Sequence, residues 1–286
     1  MANNLSAFNP EIWASMIQDI LDKSLVGKNI TTFEYQAQLT EGDVIHVPYI
    51  GNLDANTYVD ADGVTIQSVT PTDEYLTVAT TKESSFYVQE KDIIQNKYST
   101  ARMYQERAAY ALQNAMDTAL LAEVANAGLS LTAGDLTGGT GTGAITATTT
   151  NIIEIFSAAK RKLIANNVKV NGDLFAVVTP EVASLIEQKM ATGGFNVTDS
   201  ALKNGYAGDF LGFKVYVSNN VYSPSSIDYC VFGKKGCIAA VVERSPKVLI
   251  TQPSDKIGKN FITWDLYGIK TFQIGKDEMV SVNISE

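Results

Sequence analysis

The chain of 286 residues contains very few residues of the types that build common catalytic and metal sites. Histidine occurs once, as His46, and cysteine twice, as Cys230 and Cys237. General acid–base catalysis near neutral pH most often uses imidazole, and a structural zinc site needs several thiolate or imidazole ligands. This scarcity disfavours a histidine-dependent hydrolase and a zinc-stabilised domain. We therefore predict a protein that is not an enzyme and has no catalytic residues, metal or cofactor.

The local sequence around these scarce residues predicts their surroundings. His46 occupies the polar half of the alternating run from Val44 to Tyr49, which is typical of a surface or interface histidine on a strand. Cys230 and Cys237 flank a turn at 233–236, and a hairpin there could bring them close together. Reduced, buried thiols are the favoured alternative to a disulfide because the sequence has no export signal.

Long apolar runs are also missing. No window approaches the ~20 uninterrupted apolar residues of a transmembrane helix, and the first residues have no basic stretch followed by an apolar one. We expect neither membrane insertion nor secretion by a signal peptide. With 45% hydrophobic and 19% charged residues, the composition is that of a folded globular chain.

Positive charge is nearly absent from the first third of the chain. Residues 1–90 contain 13 Asp and Glu residues against three Lys residues, whereas residues 91–286 contain 18 acidic and 19 basic residues. Sequence-specific nucleic-acid binding relies on a basic surface that neutralises phosphates, so this distribution disfavours it. An acidic arm that meets basic surfaces elsewhere, including those of other copies of the chain, fits the distribution better.

Two N-terminal segments have apolar faces that they cannot bury alone. Asn9 and Pro10 begin a predicted amphipathic helix. Its apolar stripe consists of Ile12, Trp13, Met16, Ile17, Ile20 and Leu21. From Thr32 to Val88 the hydrophobic period becomes two, which predicts a long β-hairpin. An isolated two-stranded ribbon is marginally stable in water, so a partner surface is implied.

A long helix and a loop of small residues come next. Apolar residues recur at steps of three and four from Asp92 to Ala127 without Gly or Pro, which predicts one helix about 36 residues and ~54 Å long. Residues 134–150 are rich in Gly and Thr, contain no Lys and follow a helix, so they do not fit a phosphate-binding loop. We predict a flexible linker or surface loop there.

The second half of the chain has the pattern of an α/β domain. Asn151 and Glu154 predict the cap of a helix. Its apolar residues are Ile152, Ile155, Phe156, Ala159, Leu163 and Ile164. A buried strand at 174–178 leads into a second helix that starts at Thr179-Pro180-Glu181 and extends to Met190, and Gly193 and Gly194 prevent its continuation. Further strands are predicted at 214–217, 229–232, 237–242, 247–251, 261–268, 271–274 and 279–284.

The order of these segments resembles the major capsid proteins of tailed bacteriophages with the Hong Kong 97-type fold. Four short sequences are also similar to positions in that family. They are Thr179-Pro180-Glu181, the run from Gly205 to Ser218, Val231-Phe232-Gly233 and Leu266-Tyr267-Gly268. None is specific alone, but together with the segment order they extend over almost the whole chain.

The resemblance implies an α+β chain of the Hong Kong 97-type with five segments. These are an N-terminal arm at 1–33, an extended E-loop hairpin at 34–88, a peripheral-domain spine helix with its Gly/Thr linker at 89–148, an axial α/β domain at 149–250 and returning peripheral-domain strands at 251–286. Some family members crosslink an E-loop lysine to a neighbour, but the only lysine in 34–88 is Lys82, near the hairpin base. Some carry a long, later cleaved scaffolding segment, whereas only about thirty residues precede the hairpin here. We therefore expect a separate scaffolding protein, prior processing, or no scaffold.

The resemblance also implies a function and partners. The chain would be a major capsid protein that self-assembles into the pentamers and hexamers of an icosahedral phage head, made in the host bacterial cytoplasm and located in the virion capsid. The head would enclose double-stranded DNA without sequence-specific contact. Scaffolding, portal and decoration proteins are further expected partners, and a membrane is not. The alternatives are an encapsulin-like compartment shell and a phage tail or other structural assembly protein.

The charge split and the apolar stripe predict which residues form assembly contacts. They are Ile12, Trp13 and Ile17 of the arm, Glu41, Asp43, Asp73, Glu74 and Glu83 of the hairpin, and Lys97, Arg102 and Arg107 of the spine helix. We expect the hairpin carboxylates of one copy to lie over the spine-helix cations of the next. The alternative is that both sets are solvated faces, because exposed ion pairs contribute only ~0–1 kcal/mol each.

Overall fold

The computed structural model describes residues 22–285 except 40–41, 52, 59, 61–63, 65, 70, 96–99 and 194–205. These residues form three β-sheets and six α-helices. The strands are β1 (Val44–Tyr49), β2 (Thr72–Thr77), β3 (Thr80–Gln89), β4 (Leu129–Leu131), β5 (Leu174–Val178), β6 (Tyr206–Phe210), β7 (Phe213–Val217), β8 (Ile227–Lys234), β9 (Ala239–Thr251), β10 (Gly258–Lys270) and β11 (Met279–Ser285). The helices are α1 (Gly27–Ile30), α2 (Glu90–Gln95), α3 (Thr100–Ala122), α4 (Ile152–Ala165), α5 (Pro180–Gly193) and α6 (Gln273–Asp277).

The largest core lies on a six-stranded sheet with the order β4-β11-β8-β5-β7-β6. Every residue of β5 is buried, as its continuous apolar sequence predicts for a central strand. Phe156 of α4 packs edge-to-face on Phe210, Phe213 and Phe232, with ring centroids 4.8–5.8 Å apart. The predicted helices at 151–164 and 180–190 are confirmed as α4 and α5, and α5 continues to Gly193.

Two details of α4 differ from the prediction. The Asn151 side chain does not cap the helix, because its amide group is already hydrogen-bonded to the backbone of Thr146 and Thr148. Ile164 is 52% exposed, whereas the other predicted apolar residues of this helix are buried. It therefore lies outside the stripe that faces the sheet.

A three-stranded antiparallel sheet with the order β3-β10-β9 forms the second layer. Helix α3 packs on one face of this sheet, where Phe86 stacks on Phe261 and contacts Tyr104 of the helix. The strands predicted at 237–242 and 247–251 are one strand, β9, interrupted by a bulge at Ser245 and Pro246. Proline has no N–H to donate to the ladder, so a bulge accommodates it without ending the strand.

The predicted long hairpin is only partly confirmed. Strands β1 and β2 pair with each other, from Val44 opposite Thr77 to Tyr49 opposite Thr72. Strand β3 instead pairs with β10 of the three-stranded sheet. We call β1, β2 and the described residues between them the ribbon. The ribbon is therefore shorter than the sequence period suggests, because β3 alternates in the same way but has a distant partner.

The helix predicted at 92–127 is helical at every described residue up to Ala122, but it ends earlier than predicted. The structure has α2 and α3 on either side of residues 96–99, which lie outside the described residues. Helix α3 ends at Ala122 and is followed by a 3-10 turn at Glu123–Asn126. The Glu123 carboxylate fixes this turn, because it accepts hydrogen bonds from the backbone N–H and hydroxyl of Thr271 at 3.2 and 2.8 Å.

The C-terminal region crosses the predicted domain boundary at residue 250. That boundary falls inside β9, and β11 pairs with β8 and β4 of the six-stranded sheet rather than with the three-stranded sheet. The strand predicted at 271–274 is wrong, because Gln273–Asp277 forms helix α6. The division into peripheral and axial domains therefore does not coincide with strand pairing.

The Gly/Thr-rich segment is a surface loop, as one of the two predicted alternatives states, but it is not a flexible linker. Thr132 and Asp135 form a capping box at the first turn of the loop, and the Asp135 carboxylate also forms a 2.7 Å ion pair with Lys162. Ile145 is buried and exchanges backbone hydrogen bonds with the last strand, at Asn283 and Ser285. Local polar contacts and one buried apolar anchor therefore order a sequence of low complexity.

Both cysteines are free and buried, which confirms the reduced-thiol prediction. Burial raises the pKa of Cys230 and of Cys237 to about 12. The thiolate is the reactive form of cysteine, so both side chains are unreactive in the folded chain near neutral pH.

Candidate assembly surfaces

The base of the ribbon is anchored to the rest of the chain. Ile45, Leu76 and Val78 are buried in a small apolar cluster with Phe272. The Glu74 carboxylate accepts a hydrogen bond from the backbone N–H of Gln273 at 3.0 Å, at the start of α6. These contacts fix the direction in which the ribbon leaves the body.

Beyond its base the ribbon exposes apolar side chains. They are Ile50, Leu53, Tyr58, Val64, Ile66 and Val69. Ile66 is 91% exposed, so the described part of the chain buries almost none of its side chain. Residues 41–74, which include most of the ribbon and the three residues before it, contain seven acidic residues and neither Lys nor Arg. An acidic ribbon with uncovered apolar side chains is typical of a docking element.

His46 lies on the exposed face of β1, as predicted. Its Nδ1 is 2.7 Å from a carboxylate oxygen of Asp73 on β2, and both side chains are more than half exposed. Tyr75, also on β2, carries the ammonium group of Lys270 4.6 Å from its ring centroid. These contacts join the two strands and tie them to β10.

A buried polar cluster fastens the beginning of the described chain to α3. One carboxylate oxygen of Asp117 accepts the backbone N–H of Gly27 at 2.6 Å, and the other accepts the Asn220 side-chain amide at 2.9 Å. The Lys23 backbone N–H donates to the Tyr110 hydroxyl at 2.6 Å. The cluster therefore joins the N-terminal segment, α3 and the loop after β7.

This cluster was not predicted, although the sequence contains a signal for it. Asp117 precedes Leu120, Leu121 and Val124 at helical spacing, so a carboxylate occupies the apolar stripe of α3. Such a residue needs buried donors, because an unpaired buried charge is strongly unfavourable. The sequence does not identify those donors.

The predicted interface residues are separated by the structure into three groups. Ile12, Trp13, Ile17, Glu41 and Lys97 lie outside the described residues. Asp43 and Glu83 are exposed. Asp73, Glu74, Arg102 and Arg107 have partners within the chain.

Both predicted arginines of α3 therefore form ion pairs within their own chain. Arg102 pairs with Glu106 one helical turn later at 3.1 Å, and Arg107 pairs with Asp22 of the N-terminal segment. The Arg102 pair is largely exposed and contributes little to stability. The Arg107 pair belongs to the same attachment of the N-terminal segment to α3 as Tyr110 and Asp117.

A second surface with apolar and basic character covers the face of the three-stranded sheet turned away from α3. Arg244 lies 4.7 Å from the Trp264 ring, and Lys256 lies 5.8 Å from the Tyr87 ring. Lys247 and Glu83 flank Trp264 on the neighbouring strands. Leu249 is half exposed on this face, and Ile257, in the turn beside it, is 85% exposed. We call this surface the basic sheet face.

The opposite face of β10 contains polar atoms that sequence reasoning missed. Thr263, Asp265 and Tyr267 are at most 3% exposed, and each has a side-chain oxygen without a hydrogen-bond partner among the described residues. Burial raises the pKa of the Asp265 carboxyl, and the backbone N–H of Lys82 opposes that shift. Their alternate positions in β10 predict a shared face, but the sequence alone does not show that α3 covers it.

The described residues contain no group of three His, Cys, Asp or Glu side chains that could hold a metal ion. Within the same ranges, no helix combines the length and the apolar composition of a membrane span.

Comparison with known proteins identifies the fold. Residues 73–274 match the family model described as phage capsid protein. A structure from Mycobacterium phage Che8 superposes with a TM-score of 0.77 at 21% identity, covering 96% of both chains. The capsid of cyanophage P-SCSP1u gives 0.75 at 13% identity over 100% of this chain and 96% of the other. The mature capsid of bacteriophage PhiM1 gives 0.71 at 13% identity over 96% and 92%. No curated protein sequence matches the chain.

Proposed function

Because the chain belongs to the phage capsid protein family, we propose that its copies assemble into the pentamers and hexamers of an icosahedral phage head. It is a major capsid protein with the Hong Kong 97-type fold, and its role is structural. The observation that carries the assembly proposal is the ribbon, whose apolar side chains have no cover among the described residues. Burial of such side chains by a neighbour stabilises an assembled state over the monomer.

The ribbon of one copy docks on the basic sheet face of the next. The ribbon supplies acidic and apolar side chains, and the sheet face supplies Arg244, Lys247 and Lys256 around apolar and aromatic residues. We propose this contact instead of the one expected with the spine helix, where Arg107 pairs with Asp22 of its own chain. Charge complementarity of this kind increases the rate of association more than the affinity.

Repetition of one such contact around an axis produces closed rings, and rings joined by further contacts produce a shell. The head encloses double-stranded DNA without reading its sequence, since residues 91–286 are close to neutral and residues 1–90 are acidic. Synthesis in the host cytoplasm and the use of scaffolding, portal and decoration proteins complete the proposal.

Purified protein, alone or with a scaffolding partner, tests the proposal by electron microscopy and light scattering. We expect rings or shells, and we expect the assembly rate to fall as salt is raised, since screening shortens the range of charge attraction to ~8 Å and less. A monomer that stays stable under every condition would contradict the capsid assembly.

A charge-reversal pair tests the docking contact separately. Lys247→Glu with Lys256→Glu should slow assembly, whereas Lys169→Glu with Lys214→Glu changes the net charge equally on exposed residues of the six-stranded-sheet region and should not. Equal rates for the two double variants would exclude the basic sheet face as the docking surface and leave the capsid function standing.

A further inference from the structure

An apolar groove lies between the N-terminal segment, α3 and β9. Its volume is about 510 Å³. The apolar lining consists of Leu25, Phe33, Met116, Leu120, Val242 and Pro246. The rim carries Lys28, Asn29 and Gln113, which are exposed. An apolar floor with a polar rim is the form of groove that binds an amphipathic helix.

Structural features on both sides keep the groove open. On one side, the bulge at Ser245 and Pro246 interrupts the pairing of β9 with β10 and exposes the Pro246 ring to the groove. The Gln36 side chain donates to and accepts from the backbone of Val242, at 2.7 and 2.8 Å, which fixes the strand beside it. On the other side, Gly27 lies against Leu120 and Asp117, where a Cβ would approach both to 2.9 Å.

The N-terminal segment of the same chain runs away from this groove. Gly27 is bound at Asp117, Lys23 at Tyr110 and Asp22 at Arg107, so the segment follows α3 toward the start of the helix. Ten helical residues span ~15 Å, and the five residues from 22 to 27 span about the same distance when extended. The segment from Gly27 to Asp22 is therefore extended, and it leads along α3 away from Gln113 and Met116.

A return of the same segment into the groove would need a tight reversal just before Asp22. The sequence from Glu11 to Val26 contains neither Gly nor Pro, the residues that most readily form such a reversal. The charged side chains of residues 1–22 are all acidic and belong to Glu11, Asp19 and Asp22. The groove rim carries the basic residue Lys28, so the two charges are complementary.

We propose that the groove of one copy binds residues 9–21 of a second copy. The sequence of this segment predicts an amphipathic helix whose apolar stripe contains Trp13 and Ile17, and the groove has the apolar floor that such a stripe requires. The inference rests on the proposed capsid function and specifies where its N-terminal arm binds. The arm of each copy then crosses to a neighbour at the point where its own attachment to α3 ends.

Thiol crosslinking in assembled particles tests this contact. Chains with Ile17→Cys and chains with Gln113→Cys are mixed in equal amounts, assembled, and treated with a short bismaleimide at neutral pH. The native Cys230 and Cys237 are buried, with pKa values of about 12, so they add no background. We expect a dimer band in denaturing gels. Ala111→Cys, an exposed position of α3 outside the groove lining, replaces Gln113→Cys in the control and should give no dimer.

The outcomes separate the inference from the proposed function. A double variant that carries both cysteines is assembled as a second sample. If it gives only an internally crosslinked monomer, and the mixed particles give no dimer, each groove binds the arm of its own chain. That result overturns the inference. Intact particles without either crosslink overturn it as well and leave the capsid function standing. Absence of any particle from the unsubstituted chain contradicts the proposed function. Trp13→Cys serves in place of Ile17→Cys where that variant does not assemble.

Discussion

Asp117 is the residue through which three parts of the chain meet. Its two carboxylate oxygens accept hydrogen bonds from Gly27 and Asn220, and it is almost fully buried. Removing one member of a buried hydrogen bond leaves its partner unsatisfied, which costs about 1–3 kcal/mol. The contribution of Asp117 to stability is therefore larger than that of any exposed ion pair on α3.

We expect Asp117→Ala to lower the free energy of unfolding of the unassembled chain by at least about 2 kcal/mol, because two buried donors lose their acceptor. Urea denaturation measures the change. Glu106→Ala is the matched control on the same helix, since it removes only the exposed pair with Arg102, and it should cost less than about 0.5 kcal/mol. Equal effects of the two variants would show that the Asp117 hydrogen bonds do not stabilise the chain.

Burial of the Asp265 carboxylate destabilises the folded chain, whereas Asp117 stabilises it, and the effect of Asp265 depends on pH. Burial raises the pKa of its carboxyl above 3.8, so the folded state disfavours the charged form. This penalty is absent below pH 3.8 and is complete once the pH has risen through the folded-state pKa. Asp265→Asn should therefore stabilise the chain at pH 7. The gain should shrink as the pH falls toward 4, measured by urea denaturation at both values, and a gain independent of pH would contradict the assignment.

At the scale of single elements, substitutions in the ribbon should affect assembly without affecting folding. Val64 and Ile66 are highly exposed, so replacing both with Ser should change the stability of the unassembled chain by less than about 0.5 kcal/mol. Burying one such side chain in a contact contributes about 1.5–3 kcal/mol, so the same variant should slow or weaken assembly by at least about tenfold. Light scattering measures assembly, and Thr57→Ser, also exposed on the ribbon, is the control. Normal assembly of the Val64 and Ile66 double variant would place these side chains outside the contact.

Elements whose signals are local could be predicted from the sequence, and elements that depend on distant partners could not. The continuous apolar run of β5 and the proline that begins α5 are local signals, and both elements are where they were expected. Helix α6 has no capping side chain of its own, and its first backbone N–H is bound by Glu74 of the ribbon. Gly275 of α6 lies so close to the Cys237 carbonyl that a Cβ would be 2.0 Å away. A strand was predicted there because neither contact is visible in the local pattern.

For the whole molecule, the position of Lys82 predicts a shell without covalent crosslinks. Lys82 is the only lysine in 34–88 and lies on β3 opposite Asp265 of the same chain, away from the ribbon tip. We expect particles heated in detergent to dissociate into single chains of 30.9 kDa. Ladders that survive reduction would contradict this, and their loss in a Lys82→Arg variant would identify the crosslinking residue.

The sequence by itself determined the acidic first third of the chain, the scarcity of catalytic side chains, the helices α4 and α5, and the exposed strand that carries His46. These features depend on composition or on hydrophobic period, which are properties of neighbouring residues. The tertiary structure decided that β3 pairs with β10, that β11 joins the six-stranded sheet, and that Asp117 meets Gly27 and Asn220. It also paired Arg107 with Asp22 of the N-terminal segment. Each of these pairings depends on which distant segments the folded backbone brings together. Hydrophobic period and composition describe neighbouring residues and carry no information on distant pairings.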